Sequence, residues 1–290
     1  MPTSPPHPGS DRARLATKLR EIRAATGLSG NQFAKTLGWP QSRVSKIETA
    51  TQFPTGDDIT SWLAAAGAAD EEGLVAELLK RARVESVSFR QEFGKPGGAT
   101  AKQRSVREQE QQAARVATYQ PALLPGLVQT PDFMRKLLAL PSGPAHTGGA
   151  SHVDIEQMVA VRIERQTLLH DPRKTLPLVI GEAALWTRIG DLETQLGQLD
   201  RLQTLAGLRT VDLRVVPFAT ATPIAPLHGF KIFDAELVVV ETYAGEQLIR
   251  DPEEIALYEH MFSLLRAEAV SGAEAARLIQ NVSRQLAADS

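Results

Sequence analysis

Six polar residues between positions 41 and 49 carry side chains suited to hydrogen bonding and ion pairing. They are Gln41, Ser42, Arg43, Ser45, Lys46 and Thr49. Amides, hydroxyls and cations of this kind match the donors, acceptors and negative charges that base edges and phosphates present. Val44 and Ile47 lie between them with the spacing of one buried helix face. The segment therefore predicts a helix with one face in a core and the other available to a nucleic acid.

A preceding helix and a tight turn must hold this polar helix in place. Phe33, Ala34 and Leu37 fall on one side of that first helix, and Gly38 follows it. A reversal within about three residues commonly requires left-handed backbone, which glycine adopts at little cost. A side chain longer than that of Ala34 would separate the two crossing helices. This pattern predicts a helix-turn-helix, an element that presents a helix to the DNA major groove.

An ordinary helical hairpin would share the polar outer face, so the flanking sequence must distinguish the two interpretations. Upstream, Leu15, Leu19 and Ile22 have the spacing of a packing face surrounded by Arg and Lys. Downstream, Thr55 and Asp58 have the spacing of a helix N-cap and its third residue. Both flanks favour a larger helical domain around the helix-turn-helix.

This region resembles the Xre/Cro-type regulators related to phage repressors. The matching residues are Leu19-Arg20-Glu21-Ile22-Arg23, Gly27-Leu28-Ser29, Phe33-Ala34, Leu37-Gly38-Trp39, Gln41-Ser42, Val44-Ser45-Lys46-Ile47-Glu48 and Pro54-Thr55. The resemblance implies an all-α, lambda-repressor-like domain of five helices over about residues 11 to 85, whose third helix reads DNA. Many members of that family have Gln where this chain has Gly30, and Ser where it has Pro40.

The remainder of the chain resembles the large C-terminal domain attached to many actinobacterial Xre-type regulators, which are grouped with antitoxin-like transcription factors. The matching residues are Leu124-Pro125-Gly126-Leu127-Val128-Gln129-Thr130-Pro131, Arg162-Ile163-Glu164-Arg165-Gln166, Glu182-Ala183-Ala184-Leu185 and Val215-Val216-Pro217-Phe218. The resemblance implies a DNA-binding regulator that is often encoded beside a small acidic partner protein. It implies no defined biochemical role for the C-terminal domain.

The pattern of helix, strand and turn signals predicts two domains. We expect a disordered N-terminus at residues 1–10, a helix-turn-helix domain at 11–85, a linker and connecting helix at 86–118, and a C-terminal domain at 119–290. The connecting region includes a polar stretch at 102–119 that is expected to be helical. Strand signals at 176–180 and 211–215 and a hairpin signal at 230–240 alternate with helical segments. The C-terminal domain is therefore predicted to be α+β with a small sheet.

Charge is distributed unevenly along a chain whose net charge is −2. Residues 11–50 contain eight Lys or Arg against three Asp or Glu, and residues 80–115 contain nine against four. From residue 116 onward, fifteen basic residues face twenty-one acidic ones. A basic N-terminal region joined to an acidic C-terminal region is consistent with a DNA-binding part and a part that binds other partners. Solvated helix faces also produce runs of charge.

The composition disfavours several classes of site. Zero cysteines exclude disulfides, thiolate zinc sites and cysteine nucleophiles. The six histidines lack paired ligand spacing, and no glycine loop carries the Lys and Ser or Thr of a phosphate cradle. We therefore expect no metal, no cofactor and no enzyme activity.

No apolar run approaches the ~20 residues of a membrane helix, and the N-terminus is not signal-like, so we expect a soluble, cytoplasmic protein without membrane contact.

A polar pocket is one of two interpretations of the charged residues near the predicted strands. Glu182 and Glu241 border apolar strand signals, and Arg214 and His228 are expected nearby. The group could form a buried structural ion pair or an effector-binding pocket. Both interpretations remain open from the sequence.

These observations predict a sequence-specific DNA-binding transcriptional regulator. We expect a homodimer on double-stranded DNA, because one short recognition helix covers too few base pairs to specify an operator. Gln41, Arg43 and Lys46 are the expected contacts to bases or adjacent phosphates, supported by Ser42 and Ser45. Asn31 and Gln32 are expected to contact the DNA backbone. The alternatives are an antitoxin-like member of a protein pair, and an enzyme with an attached DNA-binding head.

Overall fold

The computed structural model describes residues 11–93, 95, 97–141 and 151–288, and in it the chain divides into two compact units. The first comprises the described residues up to Ser86 together with Leu248–Glu254. The second comprises the described residues of Val87–Gln247 and those from Ile255 onward. The expected disordered segment at 1–10 lies outside the described residues.

The first unit is helical and has one apolar core. Its α-helices are α1 (Asp11–Ala25), α2 (Gly30–Leu37), α3 (Gln41–Glu48), α4 (Gly56–Ala66) and α5 (Glu72–Arg83), with a 3₁₀ turn at Ala69–Glu71. Phe33 and Trp62 pack edge to face in the core, with ring centroids 4.9 Å apart. The indole Nε1 of Trp62 also donates a hydrogen bond to the carbonyl of Leu19 at 3.1 Å. The predicted N-terminal helical fold is confirmed.

Specific residues define where α2 begins and ends. Ser29 is the N-cap of α2 and forms a capping box with Gln32. Gly38 terminates the helix in the left-handed conformation, with φ 68°, and its N–H points back to the carbonyls of Ala34 and Lys35. Because this conformation is strained for any residue with a Cβ, glycine allows α3 to follow α2 through a short turn.

The second unit is α+β, and the eight described strands form one mixed sheet. The strands are β1 (Val84–Ser88), β2 (Val116–Gln120), β3 (Leu176–Gly181), β4 (Val211–Val216), β5 (Phe230–Phe233), β6 (Leu237–Glu241), β7 (Gly245–Ile249) and β8 (Val270–Ser271). Their order is β1-β7-β6-β5-β2-β3-β4-β8. β2 pairs parallel to β3, and β3 parallel to β4. β5 pairs antiparallel to both β2 and β6. The division between the two units falls within β1 and β7.

Helices flank these strands along the chain. Those wholly or largely in the second unit are α6 (Phe89–Phe93), α7 (Gly98–Gln112), α8 (Pro131–Leu138), α9 (His152–Arg165), α10 (Ala183–Trp186), α11 (Leu192–Leu205), α12 (Pro252–Glu268) and α13 (Gly272–Ala288), with 3₁₀ turns at Gly126–Val128 and Gln166–His170. The α+β class is confirmed. Across the described residues, every helix is too short or too polar to traverse a lipid bilayer.

The sheet is larger than expected because four of its strands, β1, β2, β7 and β8, were not predicted. Residues 102–119 were expected to be helical throughout, but α7 ends at Gln112 and β2 follows. The first four residues of β2 are all buried, so the strand lacks the alternation of polar and apolar residues that marks a half-buried strand. β7 contains two polar or charged residues and begins at a glycine. The other predicted strands, including the β5–β6 hairpin, are confirmed.

We predict that Gly38→Ala lowers the free energy of unfolding of the first unit by about 1–2 kcal/mol, since a Cβ is disfavoured in left-handed backbone. Gly30→Ala is the matched control, because Gly30 has ordinary backbone and open space around an added Cβ. It should leave stability unchanged or raise it by up to about 1 kcal/mol. Urea titration of the full chain, followed by tryptophan fluorescence, measures both. Equal stability of Gly38→Ala and wild type would contradict the role of Gly38.

Candidate nucleic-acid interface and a cavity in the second unit

The two faces of α3 differ in chemistry and in exposure. Val44 and Ile47 are buried in the core of the first unit. Facing outward are the exposed residues Gln41, Ser42, Lys46 and Thr49 and the half-buried Ser45. The arrangement presents amide, hydroxyl and ammonium groups along a helix that begins immediately after the turn at Gly38. Such a surface can hydrogen bond to base edges and neutralise phosphates.

Arg43 is held by contacts within the first unit. Its Nη2 lies 2.6 Å from Oδ1 of Asp58, and its guanidinium lies 4.3 Å from the ring centroid of Trp39. Asp58 is 5% exposed and also accepts a hydrogen bond from the backbone N–H of Thr55. The Arg43 side chain nevertheless remains 37% exposed. Arg43 thus has a structural role that the sequence reasoning missed, and its contact with DNA stays a prediction.

The residues expected to contact the DNA backbone lie at the start of α2. Asn31 and Gln32 are both exposed there. The Oε1 of Gln32 accepts hydrogen bonds from the backbone N–H and the hydroxyl of Ser29, at 3.0 and 2.8 Å. The capping box therefore occupies the acceptor of the Gln32 amide and leaves its NH₂ group as a donor.

Much of the positive charge counted in residues 11–50 is neutralised within the unit. The ion pairs are Arg14–Asp11, Lys18–Glu71, Arg23–Glu48 and Arg43–Asp58. Arg23 forms a two-point contact with the Glu48 carboxylate, at 2.5 and 3.1 Å, and so ties α1 to the end of α3. Lys35 and Lys46 are exposed, and no ion pair involves either of them within the described part of the chain. The charge available at this surface is therefore smaller than the sequence count indicates.

Family comparisons agree with this division of the chain. The family described as "Helix-turn-helix domain" matches residues 14–78. The first unit therefore carries a helix-turn-helix DNA-binding domain. The family described as "Domain of unknown function (DUF5753)" matches residues 103–281, more than half of the chain. The chain belongs to the DUF5753 family.

Comparisons with individual proteins add little. No curated protein matches this chain significantly. Among solved structures, the archaeal chromatin protein TrmBL2, whose structure "shows a novel mode of DNA binding", aligns over 90% of this chain and 100% of its own. The alignment has 14% sequence identity and a TM-score of 0.31. A similarity this low supports no conclusion about the fold or function of the DUF5753 protein.

The four predicted pocket residues have separate partners in the DUF5753 region. Glu182 accepts hydrogen bonds from Nε1 of Trp186 and from the backbone N–H of Phe218. Arg214 pairs with Asp212 and lines a separate depression near α12.

His228 and Glu241 also have their own surroundings. The His228 ring lies beside the rings of Phe230 and Tyr258. Glu241 pairs with Lys231 at 3.3 Å, and this cation lowers the pKa of the Glu241 carboxyl. In the part of the chain that the structure describes, no hydrogen bond or ion pair joins any two of Glu182, Arg214, His228 and Glu241. An effector role for them stays a prediction.

A cavity of about 450 Å³ lies in the second unit, and Glu241 lines it. Apolar lining comes from Val106, Leu123, Leu124 and Leu137, and polar lining comes from Gln103, Gln129, Arg162, Arg165 and Lys231. The combination of an apolar wall with a few polar groups is typical of small-molecule sites.

Two arginines of α9 meet the polar side of this cavity. Arg165 forms a buried two-point ion pair with Glu110, at 2.6 and 2.9 Å, and also bonds to Oε1 of Gln103. Arg162 donates to Oε1 of Gln103 at 3.1 Å and to Oε1 of Gln129 at 3.3 Å. Sequence reasoning gave neither arginine a role. Their spacing of three residues, which places both on one helix face, is the signal that could have identified them.

We predict that Arg43→Ala lowers the free energy of unfolding of the first unit by about 1–3 kcal/mol, because buried Asp58 loses a charged hydrogen-bond donor. Lys46→Ala is the matched control in the same helix, and it should change stability by less than about 0.5 kcal/mol. Urea titration of the full chain measures both variants. If Arg43→Ala has the same free energy of unfolding as wild type, the Arg43–Asp58 contact does not contribute measurably to stability.

Proposed function

We propose that this protein is a sequence-specific, DNA-binding transcriptional regulator of the Xre/Cro type, and that α3 enters the major groove. The observation that carries the proposal is the exposed polar face of α3, whose opposite face is buried through Val44 and Ile47. A helix held in this way presents the same side chains to every duplex it meets. That constancy is what sequence recognition requires.

The first residues of α3 are the best candidates for reading bases. Recognition helices contact base edges mainly through their N-terminal residues, and Gln41 and Ser42 are exposed at that end. The amide of Gln41 can form two hydrogen bonds with adenine. Lys46, one turn further along, suits a phosphate or a guanine. The Arg43 side chain is also partly exposed. We expect its exposed atoms to contact DNA while its Nη2 stays paired with Asp58.

Dimerisation is part of the proposal because α3 is short. Its eight residues span roughly 12 Å at 1.5 Å per residue, which corresponds to only a few base pairs. A two-fold dimer would read two half-sites about one helical turn apart. Light scattering of the full chain with and without duplex would determine the number of protein copies in the complex. The spacing of the half-sites in the selected motif would give the symmetry of the bound protein.

Selection of duplexes from a random library by the full-length protein tests the proposal. We expect one enriched motif, and Gln41→Ala should change the base preference at one position of each half-site by about 1–3 kcal/mol. If no duplex is preferred over random competitor at moderate salt, the assignment to a sequence-specific regulator is wrong.

Lys46→Gln should weaken binding to all duplexes to a similar extent and reduce the salt dependence by about one released counterion. Lys80→Gln removes the same charge from an exposed site on α5 and should leave affinity nearly unchanged. Fluorescence anisotropy over a range of salt concentrations measures both variants. Equal effects of the two substitutions would indicate a general charge effect instead of a contact by α3.

The antitoxin-like role remains the alternative function, with a small acidic partner protein that binds the C-terminal domain while DNA binding serves autoregulation. The test is purification of the tagged chain from cells that contain or lack the small protein encoded beside it. Stoichiometric recovery of that protein, together with unchanged operator binding in its absence, would assign a partner to the second unit. An enzymatic role has no supporting cluster of catalytic groups in the cavity, and we propose none.

A further inference from the structure

The charges around the cavity of the second unit do not cancel. Arg165 is paired with Glu110, and Lys231 is paired with Glu241. Arg162 remains, and its described hydrogen bonds go to the neutral amide oxygens of Gln103 and Gln129. The cavity therefore contains one cation in excess.

Arg162 is held in an environment that disfavours an unpaired charge. The pKa of its guanidinium is lowered to about 10, mainly by burial and also by the charge of Arg165, while the carboxylates of Glu241 and Glu110 act in the opposite direction. The group is still protonated at neutral pH. Among the described residues, no carboxylate forms an ion pair with Arg162. A half-buried cation whose hydrogen bonds go only to neutral amides is costly, so an external anion that binds here would relieve part of that cost.

The rest of the cavity suits an apolar group. Val106, Leu123 and Leu137 contribute to its wall, and its volume of about 450 Å³ lies within the usual range for small-molecule sites. Gln103 and Gln129 fix the orientation of the guanidinium through its Nε and Nη1. Nη2 has no hydrogen-bond partner in the described part of the chain and is available as a donor to a ligand.

We propose that this cavity binds a small organic anion, with its carboxylate or phosphate on Arg162 and its apolar body against the leucine side chains. Arginine suits both head groups because its planar donors match two oxygens at once. The inference goes beyond DNA recognition and does not depend on it, since all residues of the site belong to the second unit.

Gly126 offers a way to block the site from within the chain. An added Cβ at Gly126 would lie 3.9 Å from Nη1 of Arg162, an ordinary contact, and the backbone there has no positive φ. Gly126→Asp would therefore place a carboxylate beside the guanidinium, where it would compete with the head group of a ligand. Gly126→Ala adds the Cβ without the charge and is the matched control.

The experiment is a calorimetric titration of the full-length protein with hexanoate, hexyl phosphate and 1-hexanol. The first two probes share an apolar chain and distinguish a carboxylate from a phosphate head group, and the alcohol lacks the charge. We expect at least one anion to bind at least tenfold more tightly than the alcohol. Gly126→Asp should weaken anion binding at least tenfold, and Gly126→Ala should remain within twofold of wild type.

A second pair of variants keeps the test decisive if Gly126→Asp disturbs the fold, which circular dichroism would show. Arg162→Gln removes the cation, and Arg104→Gln removes an exposed cation from neighbouring α7. We expect a loss of anion binding in the first variant alone. Absence of binding of both anions to wild type, or equal binding by Arg162→Gln and wild type, would overturn the proposal. Neither result would affect the DNA-binding proposal, because no readout involves DNA.

Discussion

The orientation of α3 depends on the burial of Val44 and Ile47 in a core that also contains Phe33 and Trp62. Burial of side chains of this size stabilises by about 1.5–3 kcal/mol each. The left-handed turn at Gly38 lets the two helices meet in this core. The polar residues of α3 therefore face away from the core. DNA recognition by this unit would depend on that fixed orientation.

Internal neutralisation of charge is common to both units. In the first, Arg23 and Arg43 are bound to carboxylates, so fewer cations remain for DNA, among them Lys35 and Lys46. In the second, the Arg165–Glu110 pair is buried, and Arg162 beside it donates to the neutral amide oxygens of Gln103 and Gln129. In each unit, a cation that has no ion pair among the described residues is proposed to meet an external anion, Lys46 a phosphate of DNA and Arg162 a small organic acid.

The sequence predicts the first unit well because its determinants are local. The capping box of Thr55 and Asp58, the glycine at 38 and the helical spacing of apolar residues all act within a few positions. The second unit depends on contacts between distant segments. β2 is buried on both faces and has no alternating pattern, and the Arg165–Glu110 pair joins residues 55 positions apart. The predicted grouping of Glu182, Arg214, His228 and Glu241 relied on nearness in sequence to strands, which does not determine where a side chain points.

The central claim, that α3 is the surface that meets DNA, is tested most directly by amide chemical shifts of the full-length protein with and without a selected duplex. The account predicts that the largest shifts fall on residues 41–49 and on the start of α2, with small shifts on α5. Large shifts confined to other elements, with α3 unchanged by a duplex that binds specifically, would contradict it.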